Sequence, residues 1–229
     1  MMMQYAGIIF DFNGVLFWDS ALHEQAWRDF TVQARGYPFT AAEMTHYVLG
    51  RPNAFILEYV FGRKLAADEI HRRTQEKEAR YRQLCLALGA DFKLSPGALD
   101  LLDFLVAHDI PHTIATASEQ VNVNFFFAHL RLAQWFDPAR IVLDDGLLPS
   151  KPEPQIYLKA AEKIGLAPEE CMVVEDSVSG ICAARRAGIG KIYALGPPAK
   201  HAELAAVEGV NAVITQLGEI PTELFKRSP

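Results

Sequence analysis

The sequence predicts an α/β fold: a parallel sheet covered by helices on both faces, with an all-helical segment inserted after its first strand. Three observations carry this expectation. Short apolar runs recur at residues 6–10, 111–115, 140–143, 171–174, 191–195 and 210–214. Helical patterns separate most of them. Residues 19–93 break the alternation and contain no strand-like run.

In chain order, residues 6–10 form a compact apolar run closed by Asp11, the pattern of a strand buried on both faces. His23, Trp27 and Phe30 then fall at helical spacing, as do Phe55, Ile56, Tyr59 and Val60. Residues 68–88 read as a long polar helix stopped by Gly89, with Ile70, Thr74, Tyr81, Leu84, Cys85 and Leu88 on one side. Ser95-Pro96 is a helix start, followed by a stripe of Leu99, Leu102, Leu105 and Val106. Phe125 to Phe127 and Trp135-Phe136 are assigned to the core. Pro152 opens another helix, with Ile156, Leu158, Ala161 and Ile164 inward and Gly165 at its end. Ser177 caps a third, which runs to Gly188. The expected boundaries are residues 1–18 and 94–229 for the sheet domain and 19–93 for a helical cap, which can act as a lid over the strand ends.

With 229 residues, half of them hydrophobic, the chain can bury a sizeable core. Its net charge of −6 argues against a duplex nucleic-acid binder. Cys85, Cys171 and Cys182 are scattered, without the spacing of a disulfide framework or a zinc site. No apolar run approaches the ~18 residues of a membrane span, and the first ten residues lack the basic start of a signal peptide. A cytoplasmic protein with no membrane partner is expected.

In open parallel sheets ligands bind beyond the carboxyl ends of the strands. The polar residues there are Asp11, Asn13 and Gly14 after the first strand and Thr116, Ala117 and Ser118 after the second. Lys151 lies before the next helix, and Glu175 and Asp176 follow the fourth strand. Each group alone has an ordinary reading: an Asx–Gly turn, a helix cap, a solvated lysine, acids at a helix start. Together they place three carboxylates beside one lysine at one sheet edge. Such a cluster repels itself unless a divalent cation such as Mg²⁺ neutralises it. The Thr116 hydroxyl and neighbouring amides suit phosphate oxygens. Lys151 can balance charge on a nucleophile and a transferring phosphoryl group, with Asp11 as that nucleophile.

Four stretches carry a resemblance that covers nearly the whole chain: Ile8-Ile9-Phe10-Asp11-Phe12-Asn13-Gly14-Val15-Leu16, Ile114-Ala115-Thr116-Ala117-Ser118, Ser150-Lys151-Pro152-Glu153-Pro154-Gln155-Ile156-Tyr157, and Val173-Val174-Glu175-Asp176-Ser177-Val178-Ser179-Gly180-Ile181. The sequence resembles the haloacid dehalogenase superfamily, in particular its β-phosphoglucomutase-like branch with a Rossmann-like core and a helical cap. The resemblance implies Mg²⁺-dependent hydrolysis of a small phosphorylated metabolite through an aspartyl-phosphate on Asp11. It implies phosphoryl binding by Thr116 and Lys151, with Gly14, Ala117 and Ser118 around the phosphate. It implies metal binding by Asp11, Glu175, Asp176 and the backbone carbonyl of Asn13. His23 matches a residue at the start of the cap, and Arg51, after Gly50, sits where the family places specificity residues.

Two departures stand out. The family's phosphatases and mutases carry an aspartate, their general acid and base, where this chain has Asn13. An amide donates a hydrogen bond but cannot relay a proton, a loss that typically costs ~10²–10⁴ in rate. A slow phosphatase, a phosphosugar mutase, a dehalogenase- or phosphonatase-type reaction, a substitution that traps an intermediate and a silent binding protein therefore stand as alternatives. A phosphonatase needs a cap lysine, and Lys64 and Lys77 are read as solvated, the latter within an ion-paired face that includes Arg72, Arg73, Arg80, Arg82, Glu69, Glu76 and Glu78. The family's Asp-Ser pair before the cap also comes one residue late, as Asp19-Ser20.

Overall fold

The computed structural model describes residues 4–48 and 51–225. Its elements, in order, are β1 (Gly7–Phe10), α1 (Ser20–Arg35), α2 (Ala41–Glu43), α3 (Asn53–Phe61), α4 (Ala67–Ala87), α5 (Ala98–Ala107), β2 (His112–Glu119), α6 (Gln120–Leu130), β3 (Val142–Asp144), α7 (Gln155–Lys163), β4 (Cys171–Glu175), α8 (Val178–Arg186), β5 (Lys191–Leu195), α9 (His201–Ala205) and β6 (Ala212–Ile214). The chain divides into two compact units, Met1–Trp18 with Lys93–Pro229, and Asp19–Phe92.

In the first unit six parallel strands lie in the order β3-β2-β1-β4-β5-β6. This is the Rossmann-like arrangement, and β1 lies where the strand order reverses. Phe10, the last residue of β1, pairs with Ile114 on one side and Val174 on the other. That register sets the chain leaving β1 between the strand ends of β2 and β4. All four residues of β1 and all five of β4 are buried, which is why both read as uninterrupted apolar runs. Ile9, Val173, Ile156, Tyr157, Ala161, Ile181 and Ala184 share one packed layer between sheet and helices.

Several local expectations are corrected. β2 continues through Thr116, Ala117, Ser118 and Glu119, with a register shift against β3 between Ala115 and Glu119. Thr116, Ala117 and Ser118 therefore do not cap α6, whose N-cap is Glu119 with no side-chain bond. Ser95 is not the cap of α5; its hydroxyl donates to the Val15 carbonyl (2.6 Å), and Gly97, at φ +78°, precedes the helix. A Cβ on Gly97 would lie 2.1 Å from the Gly218 nitrogen, so only glycine fits there. α5 buries Ala98, Leu101, Leu102 and Leu105, while Leu99 and Val106 face solvent. α7 starts at Gln155, three residues after Pro152, and Leu158 is exposed. Ser177 does cap α8, accepting from the Gly180 amide (3.0 Å). Phe126 and Phe136 are core, whereas Phe125, Phe127 and Trp135 are half-buried.

The second unit is helical among its described residues. Trp27, Phe30, Phe39, Met44, Ile56 and Leu57 form its core. Lys64 is exposed, but Lys77 is only 2% exposed and Glu78 is buried with it, which corrects the reading of Lys77 as solvated. Lys77 lies on the face of α4 that also buries Thr74, Tyr81 and Cys85. Its charge is met there by Glu78 (2.8 Å). Among the described residues no helix is long and apolar enough to cross a membrane.

Candidate active site

Asp11 is fixed at the end of β1 by its amide, which donates to the Val174 carbonyl (3.0 Å). The chain then turns tightly: the Gly14 amide donates to Phe17 O (2.7 Å) and the Leu16 amide to Phe12 O (2.9 Å), while the Phe12 ring stacks on Phe126. Gly14 has φ +77°, and a Cβ there would lie 2.1 Å from Asp176 Oδ2. Glycine thus supplies both the turn and the room for the Asp176 carboxylate.

Lys151, in the turn before α7, crosses to the strand ends. Its ammonium donates to Asp11 Oδ1 (2.7 Å) and Glu175 Oε1 (2.5 Å), with the Ala115 carbonyl at 3.4 Å. Glu175 is fully buried. Its Oε1 also accepts from the Tyr157 hydroxyl (2.8 Å). Its Oε2 accepts from the amides of Asp176 and Ser177 (3.0 Å each) and from Ser177 Oγ (2.9 Å). Glu175 lies so close against the start of α8 that a Cβ on Gly180 would fall 1.7 Å from Oε1. Carboxylate oxygens of Asp11, Glu175 and Asp176 lie within 4.8 Å of one another.

On the β2 side, Ser118 Oγ donates to Asn13 Oδ1 (2.8 Å), and Thr116 Oγ1 lies 3.5 Å from the same oxygen. Thr116 Oγ1 in turn accepts from the Ser118 amide (3.1 Å). Thr116 and Ser118 are buried while Ala117, between them, faces outward, as alternation along a strand requires. Asp11, Asn13, Gly14, Thr116, Ser118, Lys151, Glu175 and Asp176 thus sit at the carboxyl ends of three adjacent strands.

The electrostatics follow from burial. Burial pushes the Asp11 carboxyl up to about 7 against the pull of Lys151, with Glu175 adding to the rise. Glu175 is buried too, but Lys151 and the surrounding donors hold it below the usual carboxylate range. Burial works against the charge on Lys151, yet Asp11 and Glu175 raise it well above its ordinary value. The lysine is a fixed cation, and Asp11 is the group whose charge is incompletely compensated.

His23 and Arg51 belong to the second unit. Lys77 has only donors, so His23 Nδ1 accepts from its Nζ (2.8 Å), and the ring proton resides on Nε2, 3.4 Å from Asp19 Oδ2. The ring stacks on Tyr81 at 3.9 Å, and the Tyr81 hydroxyl donates to Asp19. Arg51 is exposed, its guanidinium 5.4 Å from the Phe55 ring centroid. Gly50, read as part of the same turn, lies outside the described residues.

Two residues that sequence reasoning left without a role belong to the site. Tyr157 reaches Glu175 from within α7, and its ring lies 5.1 Å from the Lys151 ammonium. Gly180 leaves the space that Glu175 occupies. The signal for Gly180 was a glycine in the first turn of a helix, where it weakens the helix and signals close approach. Tyr157 carried only a helical-core signal.

Residues 5–188 match the haloacid dehalogenase-like hydrolase family, and the chain belongs to it. It is a hydrolase by that membership. The phosphorylated carbohydrates phosphatase of Thermotoga maritima is 31% identical over 189 residues, 81% of this chain and 83% of that protein. Fructose-1-phosphate phosphatase YqaB of Escherichia coli is 29% identical over 194 residues, 84% of this chain and 97% of that protein. The crystal structure of a family IA, variant 3 hydrolase from Entamoeba histolytica superposes with a TM-score of 0.89 at 34% identity, covering 97% of each chain.

Proposed function

We propose that the protein hydrolyses phosphate monoesters of carbohydrates with Mg²⁺, through a phosphoryl group carried on Asp11. The observation that carries this reading is Lys151, which ties Asp11 to Glu175 beside Asp176. The relatives that act on phosphorylated carbohydrates support the substrate class. The alternative readings give the carboxylates of Asp11, Glu175 and Asp176 less to do.

The donor set fits a small hard cation. Its oxygens are carboxylates: three acids lie within 4.8 Å of one another, with one ammonium, Lys151, bound to two of them. Asp11, Asp176, Glu175 and the Asn13 carbonyl would hold Mg²⁺, which draws charge from the phosphoryl oxygens. Glu175 already accepts five hydrogen bonds and serves chiefly as the anchor of the cluster.

Asp11 attacks phosphorus with its carboxylate oxygen while Lys151 neutralises charge on the nucleophile and on the equatorial oxygens. The Thr116 hydroxyl, with Ala117 and Ser118 beside it on β2, is the group assigned to the phosphate oxygens. Asn13, held by Ser118, donates a hydrogen bond to the departing oxygen. In the helical unit, His23 and Arg51 are the residues assigned to recognition of the sugar. The reading is tested by steady-state release of phosphate from a panel of sugar phosphates and an aryl phosphate, with and without Mg²⁺. Turnover that requires Mg²⁺ and disappears in Asp11→Ala is expected; turnover unchanged in that variant overturns it.

A further inference from the structure

Asn13 follows Asp11 by two residues, and its side chain is fixed. Ser118 Oγ donates to Oδ1 at 2.8 Å, so the amide carries an oxygen on the β2 side and an NH₂ group at its other end. An NH₂ donor can stabilise a departing oxygen, but it gives up no proton near neutral pH.

The other proton-bearing side chains of this corner are committed. The Lys151 ammonium is bound to Asp11 and Glu175. The Tyr157 hydroxyl donates to Glu175 and is buried beneath the lysine. Ser118 and Thr116 are hydroxyls directed at the Asn13 oxygen. Asp176 belongs to the acidic trio. Among the described residues of this unit, none of these groups is placed to protonate a leaving alkoxide.

We infer that the enzyme is built for phosphate esters whose oxygen departs without a proton, and that among carbohydrates it takes the anomeric phosphate rather than one on a terminal hydroxymethyl group. The inference rests on the assignment of Asp11 as nucleophile. An anomeric oxygen is the better anion because the ring oxygen withdraws electrons from the same carbon; a primary alkoxide has no such help. In the first step the Asp11–phosphorus bond forms and the ester P–O bond breaks, the electron pair leaving on the sugar oxygen, which takes its proton from solvent afterwards. In the second step water attacks phosphorus and the P–O bond to Asp11 breaks. The carboxylate recovers its pair, and both protons of the water stay on the product, giving dihydrogen phosphate. No side chain at this corner takes a proton in either step.

The test is a leaving-group series of aryl phosphates spanning several units of leaving-group pKa, run with the Mg²⁺-loaded full chain and with Asn13→Asp, alongside glucose 1-phosphate and glucose 6-phosphate. For the native chain kcat/KM should fall roughly tenfold per unit of leaving-group pKa, the behaviour of an unprotonated leaving oxygen. Asn13→Asp should flatten the slope to about half and raise turnover of the poorest leaving groups at least tenfold. Glucose 1-phosphate should be preferred over the 6-phosphate, and the preference should shrink in Asn13→Asp. A shallow slope in the native chain overturns this inference alone and assigns a proton donor from elsewhere, His23 included. No Asp11-dependent turnover of even the most activated ester overturns both it and the phosphatase reading.

Discussion

The hydroxyl of Tyr157 and the ammonium of Lys151 meet on one oxygen, Glu175 Oε1, at 2.8 and 2.5 Å. The lysine that serves Asp11 is thus held in place through a carboxylate that a buried tyrosine orients. Tyr157→Phe keeps the ring and removes the donor. A hydrogen bond to a charged group contributes about 1.5–3 kcal/mol, so kcat should fall roughly tenfold with KM little changed. A thermal-unfolding midpoint lowered without any change in kcat would show that the hydroxyl serves packing alone.

Gly180 makes room for the same carboxylate. Its missing Cβ would stand 1.7 Å from Glu175 Oε1, closer than any real contact. Gly180→Ala should therefore displace Glu175 and with it Lys151, lowering kcat more than tenfold and costing about 1–3 kcal/mol of stability by overpacking. Retained activity measured alongside urea unfolding would contradict the position of Glu175 against α8.

The pH behaviour has a definite sign. Without metal, Asp11 binds its proton more tightly in the folded chain, at about 7 against an ordinary carboxylate value of 3.8. The stability this proton contributes is present below about 4 and is lost as pH rises through 7. Mg²⁺ needs the ionised carboxylate and competes with that proton. The rise in melting temperature on adding Mg²⁺ should be larger at pH 8 than at pH 5.5, and it should shrink at pH 8 in Asp11→Asn. Equal shifts at the two pH values would contradict the involvement of Asp11.

Lys77 and Lys64 make a paired test in the helical unit. Lys77 is buried between His23 and Glu78, whereas the Lys64 side chain is 91% exposed beside Glu58. Removing one partner of a buried ion pair costs about 3–5 kcal/mol. Lys77→Ala should destabilise by that order in urea titrations, while Lys64→Ala should stay within about 0.5 kcal/mol.

Much of the fold could be read from the chain because buried parallel strands are apolar throughout, as in β1 and β4. β2 outruns its apolar stretch because Thr116, Ser118 and Glu119 continue the strand with polar side chains, which the site needs at that edge. Ser95 resembled a cap, but its hydroxyl is claimed by the Val15 carbonyl, a contact between residues far apart in sequence. The acidic trio, Lys151 and the two hydroxyls near Asn13 were legible because each comes at or after the carboxyl end of an apolar run, in a fixed order. Tyr157 was not, because a tyrosine on the apolar side of a helix looks the same whether its hydroxyl meets a buried carboxylate, as here, or a backbone carbonyl. Lys77 was hidden for a related reason: a charged residue among charged neighbours reads as surface until the helix face is known.

The most direct measurement is peptide mapping by mass spectrometry after acid quench of the enzyme during turnover of an activated phosphate ester with Mg²⁺. A phosphoryl group on the peptide containing Asp11, absent from Asp11→Asn, is expected, and its occupancy should be high because Asn13 cannot activate the water that removes it. Continued turnover with that peptide unmodified, or with the phosphoryl group on another residue, would contradict nucleophilic attack by Asp11.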